Sequence, residues 1–127
     1  MKRALKQVLE FHKVTNSLIN YKPTIVNKIT NGLRIELLKE ELRETIDAIE
    51  AEDIVEIADG LADLCYVAIG AAVSYGIPLD KVFDEVHRSN MNKAPHGFVK
   101  YRSDGKILKP YGWKPPDVGG IIEEALK

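Results

Sequence analysis

Between Glu40 and Asp63 the chain carries ten of its nineteen acids and one base, Arg43. The acids form two groups, Glu40-Glu41-x-x-Glu44 and Glu56-x-x-Asp59-x-x-x-Asp63, with a break near Glu52-Asp53. Residues three and four apart share one face of an α-helix. Glu41 and Glu44 therefore lie on a line with Leu37 and Ala48, while Glu56, Asp59 and Asp63 lie on a line that runs into Tyr66, Val67 and Gly70. From Leu64 to Val73 no residue is charged, the pattern of a helix covered on every side, with Cys65 expected in the core. Ionised carboxylates that lead into such a run need a compensating partner, and a cation is the natural one. All the donors at helical spacing are oxygens, which selects a hard ion, Mg²⁺ with Mn²⁺ as substitute, over zinc.

Each group has a plainer reading by itself. Asp53-x-x-Glu56 has the form of a capping box, in which Glu56 only ties down a helix start. Glu40, Glu41 and Glu44 also fit a solvated helix face. The two lines together, both ending in apolar residues, favour a metal site.

The pattern resembles the signature of the all-α nucleoside triphosphate pyrophosphohydrolases, the superfamily that holds the MazG-like enzymes, the dimeric dUTPases and phosphoribosyl-ATP pyrophosphohydrolase. The resemblance covers about residues 5 to 93, and Asp63-Leu64-Cys65-Tyr66-Val67 and His87-Arg88-Ser89-Asn90-Met91-Asn92-Lys93 belong to it. It implies metal-dependent hydrolysis of a (deoxy)nucleoside triphosphate to the monophosphate and pyrophosphate. Glu41, Glu44, Glu56 and Asp59 would hold one or two metal ions, and Glu40 would orient or deprotonate water, although spacing leaves Glu40 and Glu41 interchangeable. In some relatives the acid stands three residues before a Tyr or Phe, an alignment that makes Asp63 the ligand and puts Gly60 where Glu is expected. The resemblance also places the nucleoside against the first helix, where His12 and Asn16 stand, and the phosphates on Asn90 and Lys93. Arg34, Tyr66 and His87 are further substrate candidates. Arg34 equally suits a surface ion pair, and Lys93 a cation at a helix C-terminus. A non-catalytic divalent-metal-binding or structural helical oligomer has the same sequence pattern. A di-iron bundle requires Glu-x-x-His on two helices, and only Asp84-x-x-His87 comes near it.

Four helices must position these groups. Leu5, Val8, Leu9, Phe11, Leu18 and Ile19 predict an amphipathic helix over 2–19, broken before Pro23. Thr30 or Asn31 can cap a second helix, with Ile35, Leu38, Leu42, Ile46 and Ile49 as its apolar stripe to about residue 50. The third runs from about 54 to 75, closed by Gly76 and Pro78. Asp80 can cap the fourth, whose apolar side is Val82, Phe83, Val86 and Met91. The expected fold is all-α, a four-helix bundle-like core over about 2–92 in a single domain spanning 1–127. Residues 93–127 form an irregular basic strap and a short helix from Ile121 to Leu126. The strap interleaves Lys93, Lys100, Arg102, Lys106, Lys109 and Lys114 with Phe98, Tyr101, Tyr111 and Trp113, a composition also found in single-strand nucleic-acid binders. Here a strap lying across the bundle or a neighbouring molecule is preferred. Ser103-Asp104-Gly105-Lys106 carries hairpin turn chemistry, and Trp113 needs a partner.

A formal charge of −1, with 45% hydrophobic and 29% charged residues, provides no bulk field that recruits nucleic acid or membrane. Seventeen bases and nine acids lie outside residues 40–63, so an acidic centre sits in a mildly basic remainder, as suits a metal and a polyanionic ligand. One cysteine fits a reducing compartment, no apolar run spans a bilayer, and a cytoplasmic location is expected. Helix three is apolar on nearly all sides, which predicts a homodimer or homotetramer.

Overall fold

A computed structural model describes residues 1–127 as five helices and one small hairpin: α1 (Lys2–Thr15), α2 (Lys28–Glu50), α3 (Ile54–Tyr75), α4 (Leu79–Met91), β1 (Lys100–Tyr101), β2 (Ile107–Leu108) and α5 (Val118–Leu126). The fold is all-α, as expected. Two compact units divide the chain, residues 1–79 and 80–127.

In the first unit α3 is the central element, packed by α2 and by α1. Local chemistry sets its limits. Asp53 accepts from the amides of Val55 and Glu56 and so caps its start, while Gly76 closes its end in the left-handed conformation. α1 stops four residues earlier than its periodicity predicts, because Asn16 takes a left-handed conformation and the Ser17 amide turns back to the His12 carbonyl. α2 starts earlier than expected: Asn27, not Thr30 or Asn31, is the cap, and its side chain accepts from the Thr30 amide. The connecting segment is tied to the end of α3 by the Asn20 amide on Val73 O (3.1 Å) and the Thr24 amide on Tyr75 O (2.9 Å). Val8, Ile69 and Val73 form the core, with Ala4, Leu5, Leu9, Ile19 and Leu79 packed around them.

Two expectations about burial are corrected. The α2 face that is buried is the line Arg34, Thr45 and Ala48, not the apolar stripe; Ile35, Leu42, Ile46 and Ile49 remain exposed. Small and polar residues allow α3 to approach closely where it carries glycine, whereas the branched stripe would hold it away. Nor is the Leu64–Val73 run covered on every side: Cys65 and Tyr66 are exposed, because α1 and α2 cover only part of the α3 circumference.

In the second unit β1 and β2 pair antiparallel, Lys100 opposite Leu108 and Tyr101 opposite Ile107, around the turn that Ser103–Lys106 predicts. Trp113 finds the partner it needs: its indole N–H donates to Ser89 O at 2.7 Å. α5 begins at Val118, three residues before the expected start, since Asp117 caps it through the Gly120 amide. No helix is long and apolar enough to cross a membrane.

Candidate active site

The α2–α3 seam is set by two glycines. A Cβ at Gly60 would fall 2.7 Å from Thr45 Oγ1, and one at Gly70 would fall 2.6 Å from Arg34 Nη1 and 3.2 Å from His12 Nε2. Thr45 therefore meets Gly60 and Arg34 meets Gly70, so the helices run antiparallel. Glu41 stands between those two levels, seven residues beyond Arg34, as Asp63 stands seven before Gly70. At about 1.5 Å of rise per residue, the carboxylate level lies roughly 10 Å along α2 from the guanidinium.

Glu41 is where the acids converge. Its carboxyl is held above the usual carboxylate range, first by desolvation and then by the charges of Glu44, Asp63 and Glu40. Its Oε2 is buried and has no hydrogen-bond partner. Thr45 Oγ1 donates to the Glu41 backbone carbonyl at 2.6 Å, which fixes the turn that carries it. A desolvated carboxyl group ringed by carboxylates, with Glu44 as its one side-chain hydrogen-bond neighbour, is a site of concentrated negative charge. An all-oxygen donor set of this kind suits Mg²⁺ or Mn²⁺ in its chemistry, although its side chains are not gathered around one point.

The structure brings together four of the sequence candidates, Glu40, Glu41, Glu44 and Asp63. Glu56 and Asp59 are exposed and do not contribute to the field on Glu41; the Glu56 amide is occupied by the Asp53 cap. No three acid, histidine or cysteine side chains converge closely enough here to enclose an ion. Asp63 thus comes forward through the alignment that sets Gly60 at the Glu position. Thr45 was missed by sequence reasoning; its only signal was a hydroxyl at helical spacing from Glu41 together with a glycine inside α3.

At the other level lie His12, Arg34 and Tyr75. His12 is buried, and its Nδ1–H donates to Leu18 O at 3.1 Å, a carbonyl that also accepts Ser74 Oγ–H at 2.9 Å. That bond places the proton on Nδ1 and leaves Nε2 as an acceptor beside Gly70, the residue that Arg34 Nη1 also meets. Burial, with the Arg34 charge as a smaller contribution, holds the imidazole below its ordinary value against the opposing effect of the Leu18 bond. Arg34 is only 7% exposed, and its Nε is buried without a partner. Burial lowers its affinity for the proton, while Tyr75 acts in the opposite sense. The Tyr75 hydroxyl donates to Asn31 Oδ1. Arg34 is therefore not in a surface ion pair.

Phe11 on α1 meets Tyr66 on α3 edge to face, ring centroids 5.7 Å apart, and the two rings line an open depression with Gln7, Glu10 and Val14. Asn16 is exposed at the end of α1. The remaining candidates belong to the second unit: His87 and Asn90 are exposed on α4, and Lys93 lies just past its end, with Nζ 5.4 Å from the Trp113 ring centroid.

A mainly helical chain with almost no strand is consistent with the all-α nucleoside triphosphate pyrophosphohydrolase fold. A family model described as phosphoribosyl-ATP pyrophosphohydrolase matches residues 8–90, and the chain belongs to that family. It is also 36% identical over 70 residues to an uncharacterized protein of Acanthamoeba polyphaga mimivirus. That stretch is 55% of this chain and 28% of the viral protein, so the chain spans little more than a quarter of that relative.

Proposed function

We propose that the chain is a divalent-metal-dependent pyrophosphohydrolase that cleaves a nucleoside triphosphate to the monophosphate and pyrophosphate. One observation carries this reading within the family: the buried, unpartnered Oε2 of Glu41, surrounded by the charges of Glu44, Asp63 and Glu40. Glu41, Glu44 and Asp63 would hold Mg²⁺, with Glu56 and Asp59 as the further ligands the sequence pattern offers. A bound Mg²⁺ would supply charge neutralisation for the triphosphate and its leaving pyrophosphate. Glu40, exposed beside Glu41, orients the attacking water and takes its proton. The exposed Phe11–Tyr66 pair offers an aromatic wall for the nucleoside, Asn16 stands at the α1 end, and Arg34 and His12 are buried in the same unit. Asn90, Lys93 and His87 are the phosphate-side candidates of the second unit.

Incubation with canonical, deoxy and modified nucleoside triphosphates and Mg²⁺, read for pyrophosphate, tests the proposal. Release of pyrophosphate and monophosphate in equal amounts, abolished by Glu41→Gln, is the expected result. Ion binding without product from any member of the panel would favour a non-catalytic metal-binding oligomer, and release of orthophosphate would overturn the bond assignment.

A further inference from the structure

The second unit contains a cavity of about 370 Å³ whose wall includes Lys93, Lys100, Lys109, His96, Phe98 and Tyr111 and no acid. None of the three lysines has an ion-pair partner. Two of them converge on one ring: Nζ of Lys93 and of Lys109 stand 5.4 and 4.8 Å from the centroid of Trp113. The ring is itself fixed, by its N–H bond to the carbonyl of buried Ser89. An indole offers each ammonium some attraction but no full negative charge, so both remain available to an anion. The apolar side is equally unpartnered. Phe98 is 64% exposed and Tyr111 is fully exposed, and large rings at the mouth of a cavity gain by stacking on a planar ligand. The volume falls at the small end of the range for small-molecule sites, roughly 300–1,000 Å³, and accommodates one nucleotide rather than a run of them.

Cations without acids, together with free aromatic faces, define a ligand that is both anionic and planar. We infer that this cavity binds a nucleoside phosphate, with its phosphates on Lys93, Lys100 and Lys109 and its base against Tyr111 and Phe98, and that it does so without a divalent metal. The inference shares Lys93 with the hydrolysis reading but does not depend on it, since Lys100 and Lys109 lie outside that reading and no acid of residues 40–63 takes part.

Trp113 is the only tryptophan in the chain; it lies outside the cavity wall but within 5.4 Å of the ammoniums of Lys93 and Lys109, which belong to that wall, so its fluorescence responds to a ligand that engages them. The full chain in EDTA is titrated with ADP, adenosine, inorganic phosphate and a short single-stranded oligonucleotide, and ADP binding is measured in parallel by calorimetry. ADP is expected to give a saturable change, with adenosine and phosphate each much weaker. Lys100→Ala and Lys109→Ala should each weaken ADP about tenfold, the loss of one charge-assisted hydrogen bond. Glu41→Gln should bind ADP in EDTA as the parent does. The inference is overturned if ADP binds only with Mg²⁺, if the Lys100→Ala, Lys109→Ala double variant binds as the parent does, or if Glu41→Gln abolishes metal-free binding. It is also overturned if the oligonucleotide binds with length-dependent affinity while ADP does not.

Discussion

Thr45 of α2 rests against the bare backbone of Gly60 of α3, so closely that a Cβ at position 60 would lie 2.7 Å from Thr45 Oγ1 and 3.1 Å from its Cα. Because the second neighbour is backbone, relief requires the helices to part. Gly60→Ala gains about 1 kcal/mol of helix propensity against overpacking of about 1–3 kcal/mol, and the contact should prevail, lowering the melting temperature by several degrees. At Gly70 the obstructions are side-chain atoms alone, the Arg34 guanidinium and, at 3.2 Å, His12 Nε2, and the end of a long side chain yields more readily than backbone. Gly70→Ala should therefore cost less stability than Gly60→Ala, and thermal melts of both variants check the order.

Burial holds His12 below its ordinary value of 6.5. A histidine whose folded pKa is depressed takes up a proton more readily in the unfolded chain. Its contribution to stability is therefore complete above about 6.5 and is lost as the pH falls from there toward the lower folded value. The melting temperature of the parent should drop between pH 7.5 and 5.5 by more than that of His12→Gln, which has no such titration. Parallel slopes for the two proteins would refute the tautomer and burial described for His12.

Glu41 has the opposite sign. Its folded carboxyl is raised above the ordinary 4.5, so in the metal-free protein its ionisation opposes folding as the pH rises through that value and beyond. Glu41→Gln should leave the protein in EDTA as stable as the parent or more so at neutral pH. Excess Mn²⁺ should raise the melting temperature of the parent and not of the variant. Glu44→Gln and Asp63→Asn are expected to follow it, and Asp59→Asn to retain more of the metal response, since Asp59 lies outside the field on Glu41. Equal metal response in all four variants and the parent would sink the site.

Leu42, Ile46 and Ile49 of α2 and Ile54, Val55 and Leu61 of α3 are all exposed. Apolar patches of this kind mark association surfaces, and a homodimer or homotetramer is the expected state. Light scattering at micromolar concentration should give a mass at least twice the 14.2 kDa of the chain, and Ile46→Lys should reduce it. A monomer at all concentrations would contradict the expectation.

Sequence by itself determined what depends on residues within a turn or two of one another. Pro23, the Asp53 cap, the Gly76-x-Pro78 stop and the Ser103–Lys106 turn are local signals, and α3 and the hairpin lie where those signals put them. The concentration of acids on the second and third helices was equally legible, because side-chain spacing on one helix needs no partner. Tertiary structure decided the rest. Hydrophobicity pointed to the Ile35, Leu42, Ile46, Ile49 stripe as the inward face of α2, yet the packed face is Arg34, Thr45 and Ala48. Close approach at Gly60 and Gly70 belongs to two helices in one register, and neither sequence states it. The same register selects Asp63 over Asp59 as a neighbour of Glu41, leaves Cys65 and Tyr66 uncovered, and buries the Arg34 guanidinium beside the free nitrogen of His12. Charge on a helix can be counted from spacing; which charges share a low-dielectric space depends on what packs across from them.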